Sequence, residues 1–342
     1  MVLRFKLLIL DNLIWGLVLG FFILNALFTP QFATYDNVLD ILFHSSAMSM
    51  LVLAEGLVLV IGALDLSIDS IAAFAPGIVC LMGLRWAHLD PISMIILTLV
   101  AGALIGALNG WFVAVIKLNP FVETLAMEIV LRGLVLFLVP ISLFPLPYIY
   151  QAPGSLRVLS NVPVAVFIML AVYSGVEVVM RYTTFGRRFV ATGGNPRASF
   201  IAGINTRRMI IAAFMLAGLL AGVAGLLIAG RQGSISNTMA QNDVIMAFAG
   251  AILGGATLQG GKGAPVGMLG GALLLGMISN ALNLLGVGVT LVYATEGALI
   301  FVAVVIDRVR EKVRVQVLKK EQVKRFRLET METKGGDLAS SS

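Results

Sequence analysis

Glu55, Asp65, Ser67, Asp69, Asn109, Asn119, Glu123, Thr124, Asn280, Asn283 and Glu296 stand in or beside long apolar runs, with no obvious partner close by in the chain. An ionisable side chain at mid-membrane costs about 2.5–3.5 kcal/mol on insertion scales, so such groups turn toward a bundle interior or a wet path rather than lipid. Together they offer donors and acceptors in mixture, the lining that a neutral polar solute such as a sugar requires. Any one of them is equally well explained as a bond between helices. Two other pairs cancel locally. Glu128 with Arg132, and Glu177 with Arg181, are spaced one helical turn apart with the acid first, the favourable order.

Bond-making chemistry has little to stand on. The chain has 2 histidines, His44 and His88, and no Cys–His or His-x-x-x-His spacing, so neither a catalytic residue nor a metal site is expected. The run ending Gly261-Lys262-Gly263 has the outline of a phosphate loop. The leading glycine of that motif falls on Ala256, however, and Gly263 replaces the hydroxyl residue that would hold magnesium. No cofactor is expected in this chain. The single cysteine, Cys80, lies in an apolar run and is read as a small buried hydrophobe.

The elements that must position these groups follow from composition. Of 342 residues, 59% are hydrophobic and 12% charged, with mean hydropathy +0.98. A soluble domain is typically about 25% charged. The chain is therefore expected to be an all-α polytopic membrane protein. The formal charge of +6 does not indicate nucleic acid, because most of the 24 Lys and Arg lie between 181 and 209 or beyond 306. Spanning segments are expected near 13–28, 38–63, 68–84, 92–116, 121–140, 162–180, 209–229, 244–258, 264–285 and 289–306. That gives about ten crossings, or about eight if one pair is removed, with 244–258 short enough for a broken helix. The first, preceded by Arg4 and Lys6, is read as a retained helix rather than a signal peptide.

Arg181, Arg187, Arg188, Arg197, Arg207 and Arg208 occur in one polar segment without Asp or Glu. The positive-inside bias places this segment in the cytoplasm, and with ten crossings both termini as well. Gly193-Gly194-Asn195-Pro196 reads as a turn, and Pro196 to Ala202 as a short helix ended by Gly203. A short helix held between glycine hinges is shaped to dock on a partner. Gly62 to Ser67 and Gly254 to Gly263 are small-residue turns of similar design, which points to a parallel internal repeat. The stretch 141–161, rich in Pro, Ser and Tyr, reads as an ordinary external loop.

GALDLSIDS at 62–70, TLAMEIVLRG at 124–133, TFGRRFVATGGNPRASFIAG at 184–203, ILGGATLQGGKG at 252–263 and GALIFVAVVID at 297–307 together resemble the permease subunit of bacterial ABC importers. The likeness is to the simple-sugar group, with ribose, galactose and autoinducer-2 systems. The resemblance covers nearly all of 38–307. It implies an inner-membrane pair of permeases, identical or paralogous, with two ATP-binding cassette subunits beneath and a periplasmic binding protein above. ATP and magnesium would be bound by the cassette. The segment 181–208 would be the coupling loop, carried by Gly186, Arg187, Arg188, Gly193, Gly194, Asn195, Pro196, Arg197, Ala198 and Gly203. Residues 1–306 would form the permease unit, and 307–342 a basic cytoplasmic tail whose distal part is expected to be disordered. Asp69 and Glu128 depart from the family's usual small or hydroxyl residues. Branched-chain amino-acid permeases and an ATP-independent channel or carrier are the alternatives.

Overall fold

The computed structural model describes residues 13–85 and 87–288 continuously, and 291, 294, 295, 297, 298, 301, 302, 305 and 312 beyond them. Most of the expected span at 289–306, Glu296 and nearly all of the tail at 307–342 lie outside the described residues. Among the described residues the fold is all-α except for one very short hairpin and an isolated bridge between Leu143 and Ile235.

In chain order the helices are α1 (Leu13–Phe28), α2 (Tyr35–Val60), α3 (Ile68–Arg85), α4 (Pro91–Trp111), α5 (Pro120–Leu138), α6 (Tyr148–Ser155), α7 (Val164–Tyr182) and α8 (Thr184–Gly194). They continue with α9 (Pro196–Ile201), α10 (Thr206–Gln232), α11 (Asp243–Leu253) and α12 (Pro265–Leu284). Three of them start on an Asx residue followed by proline. Asp90, Asn119 and Asn195 each accept a hydrogen bond from a first-turn amide, at 2.9, 3.0 and 2.9 Å, while the proline occupies a position whose N–H would have no partner. A π turn, Phe112–Ile116, extends α4 to Lys117, which has φ +66°.

Among the described residues, six segments are long and apolar enough to cross a bilayer: α2, α3, α4 with its π turn, α7, α10 and α12. The expected span at 121–140 forms α5, but Glu123, Glu128 and Arg132 make it less apolar. The piece at 244–258 is the short form, an 11-residue helix that stops at Leu253 before an irregular stretch to Ala264. The stretch 141–161 is more ordered than a loop. It contains α6 and leads into β1 (Arg157–Val158), which pairs antiparallel with β2 (Val162–Pro163). Gly154 permits this order, because a Cβ there would strike the Leu227 carbonyl of α10, and Tyr150 is fully buried with its hydroxyl 3.0 Å from Thr98.

The core is built on α2 and α10. From Ser45 to Val60 all but Met48 are buried in α2, and α10 packs against α2, α3, α4 and α6. Its tightest partner is α4. Gly102 and Gly106 face Gly218 and the Phe214 carbonyl so closely that a Cβ at any of these glycines would overlap the opposing main chain. In lipid, where apolar side chains gain nothing by leaving the solvent, such close backbone approach supplies the dispersion that holds helices together.

Candidate functional site

The arginine segment folds as two helices in sequence, α8 and α9, joined at Asn195. The short helix and its end at Gly203, with φ +82°, agree with the sequence expectation. The reading of Gly193-Gly194 as a turn is corrected, since both residues lie in the last turn of α8. Their smallness serves contact instead. Gly193 is buried against the end of α2, where a Cβ would overlap the Val60 carbonyl. That carbonyl accepts from Gly261 N at 2.8 Å. Gly62, at φ +84°, and Gly260, at φ +77°, complete the contact, so the two glycine turns singled out in the sequence meet each other and α8 main chain to main chain.

On the other side of this joint the surface is open. Arg187, Arg188, Arg197 and Ala198 are exposed, and Phe200 and Ile201 at the end of α9 are 70% and 78% exposed. The sequence reading passed over these two apolar residues. Their signal was there, as two large hydrophobes in a helix of six residues otherwise built of Pro, Arg, Ala and Ser. Phe189 points the opposite way, fully buried beside Phe185 at 5.7 Å between ring centroids. Gly186 lies against the Met180 main chain, and its N–H is accepted by the Thr183 hydroxyl at 3.2 Å, which fixes the corner between α7 and α8.

Immediately behind the joint lies a buried polar network. Asp65 N donates to Glu55 Oε2 at 3.4 Å, and Asp65 Oδ1 accepts from the Ser67 N–H and hydroxyl at 2.9 and 2.6 Å. Asn109 Nδ2 donates to Ser67 Oγ at 2.8 Å, and Leu66 N donates to Thr124 Oγ1 at 3.1 Å. Glu55, Asp65, Ser67, Asn109 and Thr124 are each fully buried, and Glu123 is 7% exposed. Four acceptor atoms, Glu55 Oε1, Asp65 Oδ2, Asn109 Oδ1 and Glu123 Oε2, have no partner among the described residues. The network ties the 61–67 connection to α2, α4 and α5, and its spare acceptors fit donors from a hydroxylated solute or water.

The remaining sequence candidates sit elsewhere. Asn119 is an exposed cap of α5 and does not join the network. Asn280 bonds reciprocally with Asn37, at 3.1 and 2.9 Å, in a cavity at the far end of the bundle that Asn283 also lines. Asp69 has a partner after all: Arg132 is 3.6 Å away and also 3.6 Å from Glu128, while Asn242 N donates to Asp69 at 3.1 Å. The two residues that depart from the family pattern thus share one guanidinium. Glu177 and Arg181 pair at 3.7 Å as their spacing predicts.

Comparison with known proteins is consistent with this architecture. Residues 37–306 match the family described as "Branched-chain amino acid transport system / permease component". The ribose import permease of Bacillus subtilis (strain 168) is 34% identical over 299 residues, covering 86% of this chain and 92% of that protein. The fructose import permease of Rhizobium meliloti is 32% identical over 327 residues, 90% of this chain and 84% of the relative. The D-allose transport system permease of Escherichia coli (strain K12) is 31% identical over 293 residues, 85% and 89% of the two. No solved structure gives a significant match. With a bundle of apolar helices, a match spanning most of its length and relatives covered almost end to end, this chain belongs to that family of transport-system permease components.

Proposed function

We propose that the chain is the membrane-spanning permease subunit of an ATP-driven importer that moves a sugar or sugar-like solute across the bacterial inner membrane. The observation that carries this reading is α9, a short helix that presents Phe200 and Ile201 to solvent among arginines while α8 behind it is seated on the bundle's main chain. An apolar tip ringed by cations fits a groove with an apolar floor and acidic rim on a cassette ATPase. Closure of two cassettes on ATP would then move α8 and α9, and with them the 61–67 connection. In this reading residues 1–306 are the permease unit, the termini and residues 181–208 are cytoplasmic, and ATP with its magnesium belongs to the cassette. A second permease, identical or paralogous, and a periplasmic binding protein complete the assembly.

The sugar class rests on the three relatives, whose names are those of ribose, fructose and allose permeases. The family's description as an amino-acid transport component sets the competing expectation. The test is a mild-detergent pull-down of the tagged chain from its own cells, with ATPase activity and ATP-dependent sugar uptake assayed alongside. A cassette ATPase is expected with the wild type and lost from Phe200→Glu/Ile201→Glu, at unchanged permease yield. A wild type that brings down no ATPase would overturn the importer reading, and uptake of leucine instead of sugars would move the substrate class.

A further inference from the structure

At the end of the bundle away from the arginine segment, α2, α10, α11 and α12, together with Gly297, line an open cavity of about 790 Å³. That lies within the range of small-molecule sites, roughly 300–1,000 Å³. Its depth is graded. Gln241 and Asn283 stand exposed at the mouth, Asn37 and Asn280 are half-buried, and Ser45 is 1% exposed. The Ser45 hydroxyl has no hydrogen-bond partner among the described residues. It is reached from α12 only because position 276 is glycine, where a Cβ would overlap that hydroxyl.

Asp40, Arg231 and Asp243 bring charge to the lining, and two of them have near neighbours. Arg231 Nη1 lies 3.1 Å from His44 Nδ1, and Asp40 is 3.6 Å from Arg157 of β1. Asn37 and Asn280 bond each other and Asn37 also donates to the Phe32 carbonyl at 2.7 Å, so the polar groups most open to a ligand are the Ser45 hydroxyl and the exposed amides of Gln241 and Asn283, against a wall that includes Ile228, Met48, Met246 and Leu275. A neutral polyol needs amides that donate and accept at once, with apolar surface for its C–H faces.

We propose that this chamber, built within a single permease subunit, is a binding site for a neutral monosaccharide, with Ser45 at its floor and Asn37, Asn280, Asn283 and Gln241 above. The assignment rests on the sugar-importer reading and adds where the solute is held. The site lies at the end of α2 opposite Glu55, so one helix spans both the chamber and the buried network.

The test uses the chain's single cysteine, Cys80, which is buried. In a Cys80→Ser background, Ser45→Cys in membranes holding the whole importer is labelled with a small methanethiosulfonate. D-ribose, D-fructose and D-allose are offered as protectants and leucine as the control. At least one sugar is expected to slow labelling tenfold or more, with leucine without effect. Gly276→Val, which fills the space over Ser45, and the milder Ser45→Ala are expected to lower uptake of that sugar at least tenfold and severalfold, with cassette co-purification unchanged. Normal uptake in both variants, with labelling indifferent to all three sugars, overturns the chamber and leaves the importer reading standing. A wild type that co-purifies with its cassette yet takes up none of the three sugars defeats the sugar class and the chamber with it.

Discussion

Arg132 serves two carboxylates that lie on different helices, and at 12% side-chain exposure it does so largely out of water. Removing one member of a buried ionic group strands the others, at a cost of about 3–5 kcal/mol. Arg132→Ala is therefore expected to lower the apparent melting temperature of the purified permease by well over 5 °C, and Asp69→Asn added to it should return part of the loss. Additive losses would show that the two side chains are not coupled. The pairing of Glu128 with Arg132 was legible from spacing alone, because one helical turn brings them together. Asp69 was not, since its partner arrives only when α3 and α5 pack. A smaller effect is expected at Asn195, whose side-chain oxygen caps α9. Losing such a cap costs about 1 kcal/mol, here confined to a surface helix, so Asn195→Ala should weaken cassette retention in a pull-down while the melt moves little.

At the scale of elements, the contact between α4 and α10 depends on hydrogen in place of side chains. Gly106→Leu is expected to abolish recovery of folded protein, because the Phe214 carbonyl occupies the space that its Cβ requires. Gly133 in α5 has open space around it, and Gly133→Ala should be neutral or stabilise slightly, by up to about 1 kcal/mol. Size-exclusion profiles of the two variants, run side by side, check the difference. If both behave alike, close packing is not what the α4 glycines supply. The Asn195-Pro196 helix start was read from the sequence, whereas the four-residue spacing of Gly102, Gly106 and Gly110 stands there and was passed over. Which helix the glycine face meets was not legible, because spacing marks a surface without naming its partner. Gly193 and Gly194 were misjudged for a related reason: glycine signals a turn and a close approach with the same letter, and only tertiary packing distinguishes them.

Across the molecule, polar groups collect at two levels, the network beside the arginine segment and the chamber at the opposite end, and α2 runs through both. Most of the apolar segments were legible because hydrophobic length is a property of the chain alone. The division of the polar candidates was not, since Asn280 and Asn109 look alike in sequence and fall at opposite ends of the bundle. In the proposed importer, the link between cassette and solute would pass through the joint of Val60, Gly62, Gly193, Gly260 and Gly261. Gly193→Ala is expected to keep the cassette bound and its ATPase active while sugar uptake falls at least tenfold. Normal uptake in that variant would place the link elsewhere.

That joint has one further consequence. Contacts between side chains have play in them, because a rotamer can yield before the backbone does. Here main chain bears on main chain, so a push on α8 has no soft member to take it up, and the linkage behaves as a gear without backlash. Its state can be read at a single atom: the Gly261 amide, held by the Val60 carbonyl, should exchange its hydrogen slowly while the joint is engaged and quickly whenever a stroke of the transport cycle parts it.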